Sequence, residues 1–341
     1  VQSLDASEQS GFVLNNLETH LSISPTGWEW DFVDIETPYS ELSLDFVFDY
    51  YDYKDLSDFV NSVYMSAALH DCSVSMADMK YFIPPLEGIN NTLKISGDIQ
   101  GRIDDISSEN MVINYGRGTR FLGDFAAEGL PDVGNTFFDA QIRDFTTNSA
   151  DIQSVQLGEN DTLILPDPLN KLERLTLKGA FLGELLDFSS NAQLKSNLGD
   201  IKADITMAKD SAGRPHYNGS LSGDSLLLGV LAGMPEEFGS MNFNTQIKGN
   251  GLGKDYQANL NGYVNNLHFR GNRFDSLSIY GEASSRRFSG NLRLRDDNLS
   301  FDFSGLADLR KSNARFDFSS DIQHADLREL KIVNRSDSLS R

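Results

Sequence analysis

Along the last third of the chain, apolar and polar residues alternate with a period of two, and glycines punctuate the alternation. In Leu299-Ser300-Phe301-Asp302-Phe303-Ser304-Gly305-Leu306-Ala307 the odd positions are apolar or small, and the even positions up to Ser304 are polar. Ala314 to Ser319, Phe288 to Arg295, Ser276 to Gly281 and Asn259 to Val264 repeat the pattern. A strand turns successive side chains to opposite faces, so each segment has one oily face and one wet face. No helical period separates the segments. The pattern therefore predicts an all-β chain whose strands form a long antiparallel sheet, apolar on one side.

The same alternation fixes which residues share the oily face. Leu260, Val264, Leu292, Leu294, Phe301, Phe303, Phe316, Phe318 and Ile322 point together, and Gly262, Gly290 and Gly305 point the same way. A glycine on the apolar face weakens a strand unless the sheet must bend or something must come close. These three are therefore candidates for a crease. The pattern alone favours a sandwich, in which two such faces bury each other; an open trough lined by them is the alternative.

The first ninety residues read differently. Thr19 to Ile23 and Leu42 to Phe46 alternate as strands. Asp55 to Val60 and Ser75 to Phe82 begin with capping residues and predict short helices, the second halted by Pro84-Pro85. Beyond them a proline is followed three times by a strand ending Gly-x-x-x-Gly: Pro85 with Gly97 and Gly101, Pro168 with Gly179 and Gly183, and Pro235 with Gly249 and Gly253. The expected organisation is an N-terminal β segment with short helices over 1–88, then repeated modules over 89–341 starting near 89, 168 and 235.

Charge narrows the partners. With 29 basic and 50 acidic residues among 341, the net charge is −21, which argues against nucleic acid and against docking on anionic headgroups. Contact with a membrane component would be apolar. Cys72 is the single cysteine, so there is no intrachain disulfide framework. The apolar run Leu226 to Met234 ends at Pro235, far short of the ~20 residues of a membrane-spanning helix. The chain opens on Val1 without a signal peptide, and is expected to be an internal fragment of a longer protein.

Catalytic chemistry finds little footing. His20, His70, His216, His268 and His324 are scattered, with no metal-ligand spacing. Asp104-Asp105, Glu236-Glu237 and Asp296-Asp297 fall where turns are expected, and Asp296-Asp297-Asn298 reads as a hairpin loop. Gly249-Asn250-Gly251-Leu252-Gly253 resembles a phosphate loop, but alternation resumes at Tyr256 with no helix to complete an anion site. No enzyme activity, metal or cofactor is expected.

Three stretches carry a family resemblance: Asn91-Thr92-Leu93-Lys94-Ile95-Ser96-Gly97-Asp98-Ile99-Gln100-Gly101; Gly129 to Asp139; and Phe288 to Gly305. Together they resemble the TamB-type translocation and assembly module (AsmA-like superfamily) of Bacteroidetes-like bacteria, across most of residues 40 to 332. The resemblance implies an elongated antiparallel sheet curled into a half-pipe, or β-taco, built of repeating β-groove modules with an apolar lining. It implies a periplasmic protein held to the inner membrane by an N-terminal anchor outside this chain. An outer-membrane barrel of the TamA type would be met through regions also outside it. The function implied is non-enzymatic movement of phospholipids between inner and outer membrane, their acyl chains on the lining residues named above. The alternative is a scaffold that assists outer-membrane protein assembly by offering a free sheet edge to unfolded strands.

Overall fold

The computed structural model describes residues 1–81, 86–158, 161–252, 255–285, 287–308 and 315–330. Pro84-Pro85, Gly253 and Ala314 lie outside the described residues. The fold is all-β and antiparallel, with four short helices among the described residues. The chain divides into two compact units, Val1–Leu185 and Leu186–Arg341; position 88, expected as a boundary, lies within the first.

In the first unit a ribbon of β1 (Ala6–Ser7) and β2 (Val13–Leu14) precedes the sheet. The sheet begins β3 (Asn16–Ser24), β4 (Gly27–Glu36), β5 (Glu41–Asp49), β6 (Tyr64–Ser75), β7 (Thr92–Arg102), β8 (Asp105–Tyr115), β9 (Thr119–Glu128) and β10 (Phe137–Thr147). A second ribbon, β11 (Gln156–Gly158) with β12 (Asp161–Thr162), intervenes before β13 (Leu175–Glu184), which pairs with β10. Each strand otherwise pairs with its neighbour in sequence, whether joined by a short turn or, as for β5–β6 and β6–β7, by a longer segment that holds a helix. The outer edge of β3 is covered by Val1 and Leu4, which exchange backbone hydrogen bonds with Thr19 and Leu17.

The second unit repeats the plan with β14 (Asp187–Ser196), β15 (Gly199–Lys209), β16 (Pro215–Leu226), β17 (Met241–Asn250) and β18 (Gln257–Asn265), then a small ribbon of β19 (Leu267–Phe269) and β20 (Asn272–Phe274). The main sheet continues as β21 (Leu277–Ser284), β22 (Arg287–Arg295), β23 (Leu299–Asp308) and β24 (Arg315–Ala325). Among the described residues no ladder joins the first and last strands of either unit, so neither closes on itself as a barrel.

The helices stand at strand ends. Asp52 caps a 3-10 turn, Tyr53–Asp58, through a capping box with Asp55, and the turn runs into α1 (Phe59–Ser62). Ser75 caps α2 (Met76–Met79), its Oγ accepting from Ala77 N at 3.3 Å. Ser75 is the cap that the sequence pointed to; the first helical stretch was expected to start at Asp55, whereas Asp52 caps it and Asp55 is the N3 partner of the box. Two more were not expected: α3 (Ser149–Gln153), capped by Asn148, and α4 (Leu228–Ala232), within the apolar run that ends at Pro235. The loop at Asp296-Asp297-Asn298 is the expected hairpin, closed by Asp296 N to Leu299 O at 3.2 Å and Asn298 N to Asp296 Oδ1 at 3.0 Å.

Two buried carboxylates tie helices to turns. Asp78 of α2 accepts from Thr37 Oγ1 and Ser40 Oγ, each at 2.6 Å, holding the β4–β5 turn. Asp151 of α3 accepts from Arg117 N at 3.1 Å, Gly118 N at 2.8 Å and Thr119 Oγ1 at 2.9 Å, holding the β8–β9 turn. Burial raises the Asp151 carboxyl, but the donors from Arg117, Gly118 and Thr119 outweigh it and hold the group below the ordinary range.

Candidate functional site

Register lines the apolar residues of the second unit into rows running across its strands. In one row Val264 pairs with Leu277, Leu277 with Leu294, Leu294 with Phe301, and Phe301 with Ile322. The next runs Gly262, Ile279, Leu292, Phe303. The third runs Leu260, Gly281, Gly290, Gly305, Phe318, and Ala307 opposite Phe316 belongs to the fourth. Paired residues of an antiparallel ladder project to the same side. All nine lining residues and all three glycines read from the alternation therefore share one face.

Exposure along that face is graded. Val264 and Leu294 are buried, at 6% and 4% exposure. Leu260, Leu292, Phe301 and Phe303 are only half-buried. Phe316, Phe318 and Ile322 stand open at 55–61%, because among the described residues β24 has a partner strand on one edge only. Residues in the middle of a sandwich would be closed off by the opposite sheet. Here the middle rows stay half-open, as in a trough. Phe303 and Phe318 stack with ring centroids 5.0 Å apart, an aromatic pair on neighbouring strands.

The glycines divide between two rows. Gly290 and Gly305 are direct partners, and Gly281 pairs with Gly290 on its other side, giving three adjacent strands without side chains at one level. A Cβ on Gly290 would lie 2.5 Å from Gly281 Cα, and one on Gly305 2.5 Å from Phe318 Cα. Gly262 sits one row away, opposite Thr245 and Ile279. The glycine line is thus Gly281–Gly290–Gly305. Counting outward from the Ser284–Arg287 hairpin closure would have found Gly281 in the sequence, since it and Gly290 are equidistant from the turn.

On the opposite face Asp302 holds the last strands together. Arg295 Nη2 donates to its Oδ2 at 2.7 Å, Arg293 Nε to its Oδ1 at 2.7 Å, and Gln323 Nε2 to its Oδ2 at 2.8 Å. The bonds from Arg295 and Arg293 lower its pKa to about 2.

The first unit carries an equivalent face but bends by bulges. Phe32, Asp71 and Asn110 adopt positive φ in β4, β6 and β8, where the register slips. Each freed N–H is taken by a side chain on the following sheet strand: Phe32 N by Asp45 Oδ1 at 3.0 Å, Asp71 N by Ser96 Oγ at 3.2 Å, and Asn110 N by Asp124 Oδ1 at 2.7 Å. Ser225 of β16 repeats the device in the second unit, its N–H donating to Asn242 Oδ1 at 2.8 Å. The bond from Phe32 N, then that from His70, lower the Asp45 pKa.

At one end of this face lies an apolar cavity of about 580 Å3, which the alternation did not reveal. Leu93, Ile113, Phe121 and Phe145 of β7–β10 line it together with Leu86, Ile89, Ile152 and Val155 from the segments before β7 and after β10. The strand residues are legible as apolar; the other lining residues come from segments remote in sequence.

Among the described residues no three His, Cys, Asp or Glu side chains gather as a metal site, and no helix is long and apolar enough to cross a membrane. His70 Nε2 lies 3.2 Å from Asp45 Oδ2, and His268 Nδ1 3.0 Å from Ser240 Oγ. No protein-family model, curated protein or solved structure matches the chain.

Proposed function

We propose that the apolar face is a passive lining for phospholipid acyl chains, and that the protein is a non-enzymatic envelope component of the TamB type moving lipid between inner and outer membrane. The observation that supports this most is the half-open middle of the face, where Leu260, Leu292 and Phe303 keep access to solvent while remaining in register. Hydrocarbon laid along such rows gains about 0.8 kcal/mol per buried methylene. Paired rows of similar apolar groups offer no single deep trap, so a chain can shift from strand to strand. The ionised groups stand on the other face, Asp302 with Arg293 and Arg295 among them.

The test places carboxylates in the lining through Phe301→Asp with Phe318→Asp. On an open face both stay hydrated and the fold survives, so circular dichroism melting should change little while envelope integrity in cells fails. A variant that unfolds favours a closed core, and a folded variant with intact envelope function contradicts the lining. A second reading, docking of unfolded outer-membrane strands, draws support from β24, whose residues Arg315–Gln323 are exposed. It predicts that proline at Ser319 abolishes capture of such segments.

A further inference from the structure

The cavity of the first unit differs from the face of the second in that residues of two inter-strand segments, Leu86, Ile89, Ile152 and Val155, join the strands in its wall. The segment Leu86–Asn91 contributes Leu86, Ile89 and Asn91 to the lining and is pinned at one end. Asn91 Nδ2 donates to Tyr115 OH at 2.7 Å and to Ser154 O at 3.0 Å, while Asn91 Oδ1 accepts from Gln156 N at 2.8 Å. Asn90 N donates to Gln156 Oε1 at 2.6 Å, and Tyr115 OH lies 2.7 Å from Ser154 Oγ. Polar groups thus sit at the rim and hydrocarbon beneath. The one carboxylate in the wall, Asp151, has its oxygens engaged by Arg117 N, Gly118 N and Thr119 Oγ1. Among the described residues no cationic side chain lines the wall, so an anionic group finds no partner inside and the lining offers an entering ligand chiefly hydrocarbon. The volume, about 580 Å3, falls within the range of small-molecule sites, about 300–1,000 Å3.

Shape selects further. The strand part of the lining continues a register row, Ile95–Ile113–Phe121–Phe145–Leu177, that runs across five strands. A flexible linear chain can follow such a strip out of the cavity; a rigid polycycle cannot. We infer that this cavity is a holding site for one acyl chain of a two-chain amphiphile, with Leu86–Asn91 as its strap and the ligand's polar end at the Asn91–Tyr115–Gln156 rim. The inference rests on the acyl-lining reading above and adds a place where a chain pauses.

The probe is a phosphatidylcholine carrying a diazirine in mid-chain, incubated with the full chain, irradiated and mapped by peptide mass spectrometry. Adducts are expected on the peptides holding Ile113, Phe121 or Ile152, and Ile113→Trp, which fills the cavity, should remove them at least tenfold. Asn91→Ala leaves the hydrocarbon wall intact but frees the strap; after a chase with unlabelled dioleoylphosphatidylcholine its adduct yield should fall about tenfold faster than in the parent. Adducts confined to the second unit's face would overturn the holding site while sparing the acyl lining. Adducts on neither unit would overturn both. Displacement by cholesterol but not by dioleoylphosphatidylcholine would overturn the linear occupant, and Asn91→Ala releasing probe at the parent rate would overturn the strap.

Discussion

Gly290→Ala asks the sheet for one methyl group at the level where Gly281, Gly290 and Gly305 meet. That methyl would stand 2.5 Å from Gly281 Cα and press on the carbonyl oxygen of Tyr280, whereas ordinary contact begins at 3.4 Å. The two nearest obstacles are backbone, so neither can swing aside as the Phe288 ring, at 3.1 Å, could. Strands β21 and β22 would have to part by about 1 Å at this level, straining the ladder from Leu277–Leu294 to Ser284–Arg287. Overpacking of this kind costs about 1–3 kcal/mol, and loosened ladder hydrogen bonds about 1 kcal/mol each. The stiffer unfolded chain returns about 0.4–1 kcal/mol. The net expectation is a loss of about 2–3 kcal/mol, read as a lower urea midpoint with unchanged slope. Gly134→Ala is the control, since its added methyl meets only Asp132 Oδ1 at 3.6 Å; it should stay within about 0.5 kcal/mol of the parent. If Gly290→Ala were as mild as the control, the close approach of glycine backbones would not be what shapes this part of the sheet.

Further expectations follow from the carboxylates. Asp302 titrates at about 2, below the ordinary ~3.9, so its stabilisation is complete above the ordinary value and disappears as pH falls through about 2. Asp302→Asn should flatten the acid-unfolding profile between those limits, and a parent whose stability does not change there would count against the Arg293–Arg295–Asp302 cluster. Asp151→Ala strips an acceptor from two N–H groups and a hydroxyl; urea denaturation should show a loss of about 2–3 kcal/mol, and a loss below about 0.5 kcal/mol would mean the α3–turn clamp is idle. Removing the bulge acceptor through Asp124→Ala should quicken hydrogen exchange at the Asn110 amide; unchanged protection would refute its role.

The alternation was enough to place the strands of the last third and to put the nine named residues on one face, because a period of two is a local property that tertiary packing had no reason to override. Capping residues gave the helix at Ser75 and pointed to Asp55–Val60, where the cap proved to be Asp52. Depth was not legible. Phe301 and Phe316 read alike, yet the first is half-buried and the second exposed, since what differs is a neighbouring strand and not the residue. The glycine row needed a register, which follows from hairpin closures; Gly262 was grouped with Gly290 and Gly305 by face alone. The bulges are harder still. Asn110 and Asp71 belong to residue types that tolerate positive φ, but Phe32 does not, and its conformation depends on Asp45 of the next strand. The cavity depends on contacts such as Asn91 with Ser154 and Gln156, which no local pattern encodes.

The account turns on whether hydrocarbon occupies the apolar face. Organic extraction of the protein purified without detergent from the cells that make it, followed by lipid mass spectrometry, addresses this directly. The account predicts phospholipid in at least equimolar amount, reduced severalfold by Phe301→Asp with Phe318→Asp while the protein stays folded; protein that emerges free of lipid, or a variant that retains the full amount, would contradict it.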